Sequence, residues 1–288
     1  MTMNKTVSTF VGCDKEYEDS HIVIFGAPFD STTSFRPGTR FGPSAIRAES
    51  IGLETYSPYQ DNDLVQCSVF DYGDHVLPFG SAERALEEIY QHAKEIVNDE
   101  KVPFMIGGEH TVTFGSVRAV YEKYPDLHII HFDAHTDLRD TYYGEWFSHA
   151  TVLKRCYDLV GDGKIFHFGL RSGARDEFIF AQQHNYIEKS TCETLKDILP
   201  NLGEVPVYIT IDLDVLDPSH FPGTGTPEAG GIGFMDLLNS VIHMSHLRVV
   251  GMDINELSPI YDHSGASTAL ACKITRESLI ALSKNRLR

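Results

Sequence analysis

The sequence has 288 residues, of which 42% are hydrophobic, and its 24 basic and 41 acidic side chains give a net charge of −17. This acidic surface argues against nucleic-acid binding, which needs a basic face, and suits the attraction of a cationic small molecule. No apolar stretch approaches the ~20 residues that would span a bilayer, so membrane insertion is not expected.

Strands and helices alternate along the chain. The apolar runs at residues 21–26, 67–72, 101–106, 128–133, 165–169, 205–212 and 247–253 predict strands. Helical spacing or helix-start signals predict helices at 44–53, 81–98, 111–123, 149–160, 190–199, 234–244 and 266–283. This alternation predicts an α/β fold with a mostly parallel sheet covered by helices on both faces. No linker interrupts the series, so we predict a single domain over residues 1–288.

Two features bear on cellular location. Residues 1–10 are polar and lack the apolar segment of a secretory signal. The cysteines are odd in number, widely spaced and contain no C-x-x-C pair. Such spacing predicts reduced thiols rather than a disulfide framework or a zinc cluster. We therefore expect a cytoplasmic protein.

Acidic and histidine side chains follow the predicted strand at 128–133. Asp133, His135 and Asp137 are two residues apart, and on an extended chain such side chains point to the same face. Two carboxylates and an imidazole at one point repel unless a cation joins them or one group takes up a proton. A polar turn after a strand is the alternative interpretation of this segment alone.

Two further strands end in similar residues. Asp212 and Asp214 close the strand at 205–212, and Gly107-Gly108 lets the backbone turn sharply before His110. Ligand sites of parallel α/β sheets lie outside the carboxyl ends of strands, so these three clusters are expected to meet there. The loop at 27–42 is either a lid over this site or a surface connection.

Together these clusters supply two imidazoles and four carboxylates, which is too many for one ion with open positions. They suit two ions with bridging carboxylates, and oxygen-rich ligation without cysteine favours manganese, iron or magnesium over structural zinc. Paired ions lower the pKa of a shared water and so supply hydroxide near neutral pH. With four aspartates the centre is not strongly positive, so a cationic guanidinium is tolerated.

Two more residues are candidates near this centre. Glu256 follows the strand at 247–253 and could pair with a guanidinium, or it could be a solvated turn residue. His149 opens a predicted helix soon after Asp137, where a structural role is the alternative to a catalytic one.

Several of these segments resemble the signatures of the ureohydrolase family. They are Gly107-Gly108-Glu109-His110, Asp133-Ala134-His135-Thr136-Asp137, Asp212-Leu213-Asp214-Val215-Leu216-Asp217-Pro218, Pro222-Gly223-Thr224-Gly225-Thr226-Pro227, and Arg36-Pro37-Gly38 with Phe41-Gly42-Pro43. The resemblance covers nearly the whole chain from about Gly26, and within the family it is strongest to the bacterial agmatinases, which hydrolyse agmatine to putrescine and urea.

The resemblance implies an arginase-like three-layer αβα sandwich with an eight-stranded sheet. It also implies two Mn²⁺ ions per subunit, held by His110, Asp133, His135, Asp137, Asp212 and Asp214. In the mechanism that it implies, a bridging hydroxide attacks the guanidinium carbon and Asp137 passes a proton to the departing amine. His149 would shuttle protons at the substrate, and Glu256 would pair with the guanidinium. Family members commonly form trimers or hexamers.

One residue departs from the family in a way that bears on the substrate. Arg139 stands two residues after Asp137, where arginases carry an Asn that helps to hold the amino-acid end of arginine. This weakens an arginase assignment and leaves a guanidino acid such as guanidinobutyrate as an alternative, because Arg139 could bind its carboxylate. A noncatalytic scaffold stabilised by metal is the alternative from a different functional class.

Overall fold

The computed structural model describes residues 8–284, so most of the polar segment at 1–10 lies outside the described residues. The strands are β1 Ile22–Ala27, β2 Tyr56–Ser57, β3 Asn62–Asp63, β4 Val69–Asp74, β5 Val102–Gly107, β6 His128–Phe132, β7 Ile165–Leu170, β8 Tyr186–Lys189, β9 Val207–Asp212 and β10 Val249–Asn255. The α-helices are α1 Gly42–Ser50, α2 Ala82–Asn98, α3 Thr113–Lys123, α4 Val152–Val160, α5 Arg175–His184, α6 Leu195–Leu202, α7 Phe234–Met244 and α8 Ala266–Ser283.

Eight of these strands form one sheet in the order β4-β1-β5-β10-β9-β6-β7-β8. Every neighbouring pair in this sheet is parallel. Helix α3 packs against both α2 and α4, and helix α8 packs against both α1 and α7. The predicted αβα architecture with an eight-stranded sheet is therefore confirmed, and β1, β5, β9 and β10 are buried along their whole length, as strands covered on both faces should be.

Some elements differ from the sequence prediction. Helix α5, strand β8 and the small β2–β3 hairpin are additional, and α6 begins at Leu195 rather than at residue 190. Strand β8 lies at the edge of the sheet and is only partly buried, so it lacks a continuous apolar run. Helix α5 buries only Glu177 and Ala181, so it lacks an apolar periodicity. None of the described helices is long and apolar enough to cross a membrane.

The strand order places four chain segments side by side. Strands β5, β10, β9 and β6 are consecutive in the middle of the sheet, and because they are parallel their carboxyl ends share one edge. The polar segments that follow them therefore meet above the centre of the sheet, which is where ligand sites of such sheets form.

Candidate metal centre and substrate cleft

The side chains at the ends of these four strands form one buried cluster. His110 follows β5, Glu256 follows β10, Asp212 ends β9 and Asp133 follows β6. All four are less than a tenth exposed. The structure thus brings together residues that are more than a hundred positions apart in the sequence.

Asp133 lies between two groups of candidate ligands. Its Oδ2 is 3.0 Å from His110 Nδ1, and its Oδ1 is 3.4 Å from His135 Nδ1. On the first side, His110 Nδ1 is also 3.1 Å from Asp137 Oδ2 and 3.6 Å from Asp212 Oδ2. On the second side, His135 Nδ1 is 3.0 Å from Asp214 Oδ2. All six predicted metal ligands therefore lie in one two-sided cluster.

The local backbone differs from the extended conformation that the residue spacing predicts. Strand β6 ends at Phe132, and Asp137 has a left-handed φ of 52°. Asp214 lies in a 3₁₀ turn at Leu213–Val215, where its N–H donates to Asp212 Oδ1 at 2.8 Å. The predicted alternation along an extended chain is therefore wrong for Asp137 and Asp214. Turns and their hydrogen bonds, not strand pleating, aim these carboxylates.

The two glycines before His110 also act differently from the prediction. Neither Gly107 nor Gly108 has a positive φ. A Cβ at Gly107 would lie 1.8 Å from Asn255 Oδ1, and one at Gly108 would lie 1.9 Å from the carbonyl oxygen of Phe29. The chain does bend at Gly108 and Glu109, as expected, but without a left-handed glycine, and the two glycines also allow a close approach of neighbouring chain to the site.

A buried hydrogen-bond chain fixes the ring of His110. Its Nε2 lies 2.9 Å from Thr210 Oγ1, and that hydroxyl donates to Asp253 Oδ1 at 2.6 Å. Since the threonine hydrogen goes to the carboxylate, His110 Nε2 is the donor in the first bond. The Nδ1 lone pair then faces the aspartates, as a metal ligand requires.

Burial and mutual repulsion perturb the carboxylates of the cluster. Burial, and then the charge of Asp133, raises the pKa of Asp137 to about 7. Burial, and then Asp214, raises the pKa of Asp212 well above its usual range. Burial also raises the pKa of Asp133, but the neighbouring His110, His131 and His135 outweigh it and the net shift is downward.

These carboxylates are too crowded for all of them to be charged without additional positive charge. The candidate ligand atoms of Asp133, His135 and Asp214 lie within 4.8 Å of one another, and so do those of His110, His131 and Asp133. Imidazole nitrogens with several carboxylate oxygens suit divalent first-row cations. The residues present therefore fit a pair of metal ions.

His149 lies beside the cluster and contacts the loop after β1. Its Nδ1 is 3.3 Å from Thr32 Oγ1, and its Nε2 is 3.3 Å from Ser34 Oγ. The Thr32 hydroxyl donates to buried Glu109, so His149 Nδ1 must donate to Thr32. Burial, and then the charge of His135, lowers the pKa of His149 to about 4. The neutral ring thus directs its Nε2 lone pair towards Ser34.

Glu256 receives a backbone hydrogen bond at the floor of the cleft. It has a φ of 67°, and its Oε1 accepts from the His110 N–H at 2.7 Å. Burial, and then the charge of Glu109, raises its pKa well above the usual range. A cationic group bound here would offset that repulsion.

The cluster opens into a cleft of about 320 Å³. Its walls are formed by Ser34, His110, His135, Thr136, Asp137, Arg139, Tyr142, His149, Ala150, Ser172, Gly173, Ala174, Glu177, Asp212, Thr226 and Glu256. Arg139 Nε lies 3.5 Å from Glu177 Oε2, and the guanidinium lies 5.1 Å from the centre of the Tyr142 ring. Glu177, on the additional helix α5, therefore partly offsets the charge of Arg139 inside the cleft.

Sequence reasoning missed three residues that shape this site. Glu177 accepts hydrogen bonds from Thr136 Oγ1 and the Leu138 N–H, which holds the ligand segment in place. Glu109 ties the Thr32 loop to the end of β5. His131 contacts Asp133 at 2.9 Å, and its signal was present, because His131 precedes Asp133 by two positions inside an apolar strand.

The chain is similar to known proteins of one family. The model of the arginase family matches residues 20–281. The agmatinase of Bacillus subtilis is 48% identical over 279 residues, which are 96% of each chain. A solved structure of a candidate agmatinase from Clostridium difficile superposes with a TM-score of 0.92 at 51% identity, covering 95% of this chain and 100% of that one.

A relative that is named for another activity has nearly the same structure. Proclavaminate amidinohydrolase from Streptomyces clavuligerus superposes with a TM-score of 0.90 at 31% identity, covering 98% of each chain. The family match and the agmatinase relatives span nearly all of the sheet and every candidate ligand. The chain therefore belongs to the arginase family and is a ureohydrolase, a hydrolase that acts on amidino C–N bonds.

Proposed function

We propose that this chain is an agmatinase that hydrolyses agmatine to putrescine and urea with two Mn²⁺ ions per subunit. The observation that carries the proposal is the two-sided cluster around Asp133, which lies at the floor of a cleft that also contains Glu256. The identity of 48% with the agmatinase of Bacillus subtilis supports agmatine as the substrate.

The six predicted ligands would divide between the two ions. His110, Asp137 and Asp212 would hold one ion, His135 and Asp214 the other, with Asp133 between them. Oxygen-rich ligation with two imidazoles and without thiolate favours manganese over structural zinc. When bound, such ions supply a water of lowered pKa that serves as a nucleophile near neutral pH.

Glu256 and Asp137 would act on the two sides of the guanidinium. Glu256 would pair with the guanidinium through a charge-assisted hydrogen bond, while its Oε1 stays positioned by the His110 N–H. Asp137 would pass a proton to the departing amine. Its carboxyl group lines the cleft, and Leu153 and Lys154 at the start of α4 donate their N–H groups to its carbonyl oxygen, which supports this placement.

His149 would contact the substrate and move protons between the cleft and bulk water. Its Nδ1–H is held by Thr32, so Nε2 is the nitrogen available for proton transfer. Its low pKa keeps the ring neutral near pH 7, so that Nε2 carries a lone pair.

The far end of the cleft would select for an amine rather than a carboxylate. Arg139 alone would favour a guanidino acid, but Glu177 offsets its charge, and the Tyr142 ring offers a face to a cation. The net charge of −17 also attracts a dication such as agmatine. A guanidino acid such as guanidinobutyrate is the alternative substrate, favoured by the position of Arg139 in the cleft wall.

A direct assay tests the proposed reaction. The purified chain, loaded with Mn²⁺, is expected to release urea and putrescine from agmatine in equal amounts. Protein from which a chelator has removed the metal should be inactive and should recover when Mn²⁺ is restored. Urea release that is unaffected by metal removal would contradict the proposed centre.

We further propose a cytoplasmic location, one domain and assembly into a homotrimer or homohexamer. The five cysteines are buried and unpaired, which supports a reducing compartment. The oligomer rests on the family resemblance alone, and light scattering of the purified protein would measure it.

A further inference from the structure

A row of three polar side chains, of which the two histidines are fully buried and the asparagine is partly buried, leads from the edge of the sheet to Asp133. Asn185 Nδ2 lies 3.1 Å from His167 Nε2, and His167 Nδ1 lies 2.8 Å from His131 Nδ1. His131 Nε2 then lies 2.9 Å from Asp133 Oδ2. Both histidines are fully buried and are register partners on β7 and β6, so their rings are held by the sheet itself.

Each hydrogen bond in this row can run in only one of two directions. The contact between the two Nδ1 atoms can hold one hydrogen, so one ring donates and the other accepts. A neutral imidazole carries a single N–H, so choosing the donor at this contact also fixes the role of the outer nitrogen of each ring. The direction is therefore a property of the whole row.

Both ends of the row favour the same direction. At the outer end, the Asn185 side chain is oriented with its amide nitrogen towards His167 Nε2, and in this orientation it donates, which makes Nε2 an acceptor and places the hydrogen of His167 on Nδ1. At the inner end, a donating His131 Nε2–H meets the charged Asp133 oxygen. Without a cation between the two atoms, the reverse direction would place a nitrogen lone pair 2.9 Å from a carboxylate oxygen, which is repulsive.

We propose that Asn185, His167 and His131 form a relay of hydrogen bonds that positions the carboxylate of Asp133, and that His131 is a donor to this carboxylate and not a metal ligand. The relay holds Oδ2 from one side, while the His135 N–H holds Oδ1 at 2.6 Å from the other. These two bonds fix the plane of the carboxylate, so that one oxygen faces His110 and the other faces His135.

The alternative is that His131 binds a metal ion directly. The candidate ligand atoms of His110, His131 and Asp133 lie within 4.8 Å of one another, which is close enough for a cation to bind His131 directly. In that case His131 Nε2 would carry a lone pair and the row would run in reverse. The location of the hydrogen on the His131 and His167 rings therefore shows whether His131 positions Asp133 or binds the metal ion.

Neutron diffraction from crystals of the deuterated, Mn²⁺-loaded protein locates those hydrogens. The proposal predicts deuterium on His131 Nε2 and on His167 Nδ1. Deuterium on His131 Nδ1 and His167 Nε2, with Nε2 of His131 directed at an ion, would overturn it. Because the inference rests on the proposed metal centre, Mn²⁺ must first be seen at Asp133. Its absence there would contradict the proposed function instead.

Mn²⁺ affinity measured by calorimetry tests the consequence. His131→Phe keeps a ring but removes the donor, and is expected to weaken Mn²⁺ binding about 10–100-fold, as loss of such a supporting hydrogen bond does. His131→Gln places an amide N–H near the same position and should restore most of the affinity. His128→Phe on the same strand is the matched control and should leave it unchanged. Equal affinity for the Phe variant at position 131 and for the wild type would contradict the relay.

Discussion

The two ends of the cleft are built from different kinds of structure. At the floor, the ends of four neighbouring strands of the sheet position the buried candidate ligands, and turns with short hydrogen bonds hold them. At the mouth, the loop after Asp137 supplies Arg139, whose side chain is 39% exposed, and the first turn of α5 supplies Glu177. The sheet thus fixes the chemistry, whereas exposed loops, which tolerate change, adjust which molecule reaches it.

The largest expected effect comes from the floor of the cleft. Asp133→Asn should lower Mn²⁺ content and remove turnover, because a neutral amide is a poor bridge between two cations. The loss should be at least about 10³-fold, since metal catalysis supplies several kcal/mol. Metal analysis and urea release measure it, with Asp126→Asn at an exposed position as the control. Wild-type activity with unchanged manganese stoichiometry would rule out the dinuclear assignment.

The next effect separates proton transfer from metal binding. His149→Ala should lower kcat by about 10²–10⁴-fold, the usual contribution of a general acid or base. Manganese content should stay near the wild-type value, because the ring contacts Thr32 and Ser34 rather than the ligands. The exposed His220→Ala is the control. If the His149 variant loses its metal, the proposed shuttle is wrong and the residue is a ligand or a structural support.

A smaller effect is expected at the mouth. Arg139→Gln removes a cation from the wall, and should raise kcat/KM for agmatine about fivefold through weaker charge repulsion. Arg118→Gln makes the same change in net charge on the surface of α3, so it controls for long-range attraction. A fall in kcat/KM for agmatine would show that Arg139 supports this substrate instead of opposing it.

The smallest effect concerns the loop that connects the two ends. Thr32→Val removes the hydroxyl that holds His149 Nδ1 and should lower kcat about threefold, within the contribution of one neutral hydrogen bond. Thr33→Val is a close control, because its hydroxyl also donates to Glu109 but does not contact His149. If both changes lowered kcat equally, the decrease would come from the lost hydrogen bond to Glu109 and not from the orientation of the His149 ring.

The sequence predicted the floor better than the mouth, for physical reasons. Buried parallel strands are continuous apolar runs in the sequence, so the position where each run ends is easy to recognise. Asp133 and Asp212 lie at two of these positions. Strand β8 and helix α5 lie at an edge and carry mixed side chains, so no periodicity marks them or Glu177. The sequence places His131 inside an apolar strand and gives it no visible partner, because His167 is distant in sequence and only the sheet register pairs them.

The most direct test of the proposed function is a comparison of kcat/KM for agmatine, arginine and guanidinobutyrate with the Mn²⁺-loaded protein. The three compounds share the guanidinium and differ only at the other end, which we propose lies against Arg139, Tyr142 and Glu177. We predict that agmatine is used at least about 100-fold more efficiently than arginine, a difference of about 2.7 kcal/mol in transition-state binding. A higher value for guanidinobutyrate than for agmatine would contradict the agmatinase proposal and make Arg139 the binding site of a carboxylate.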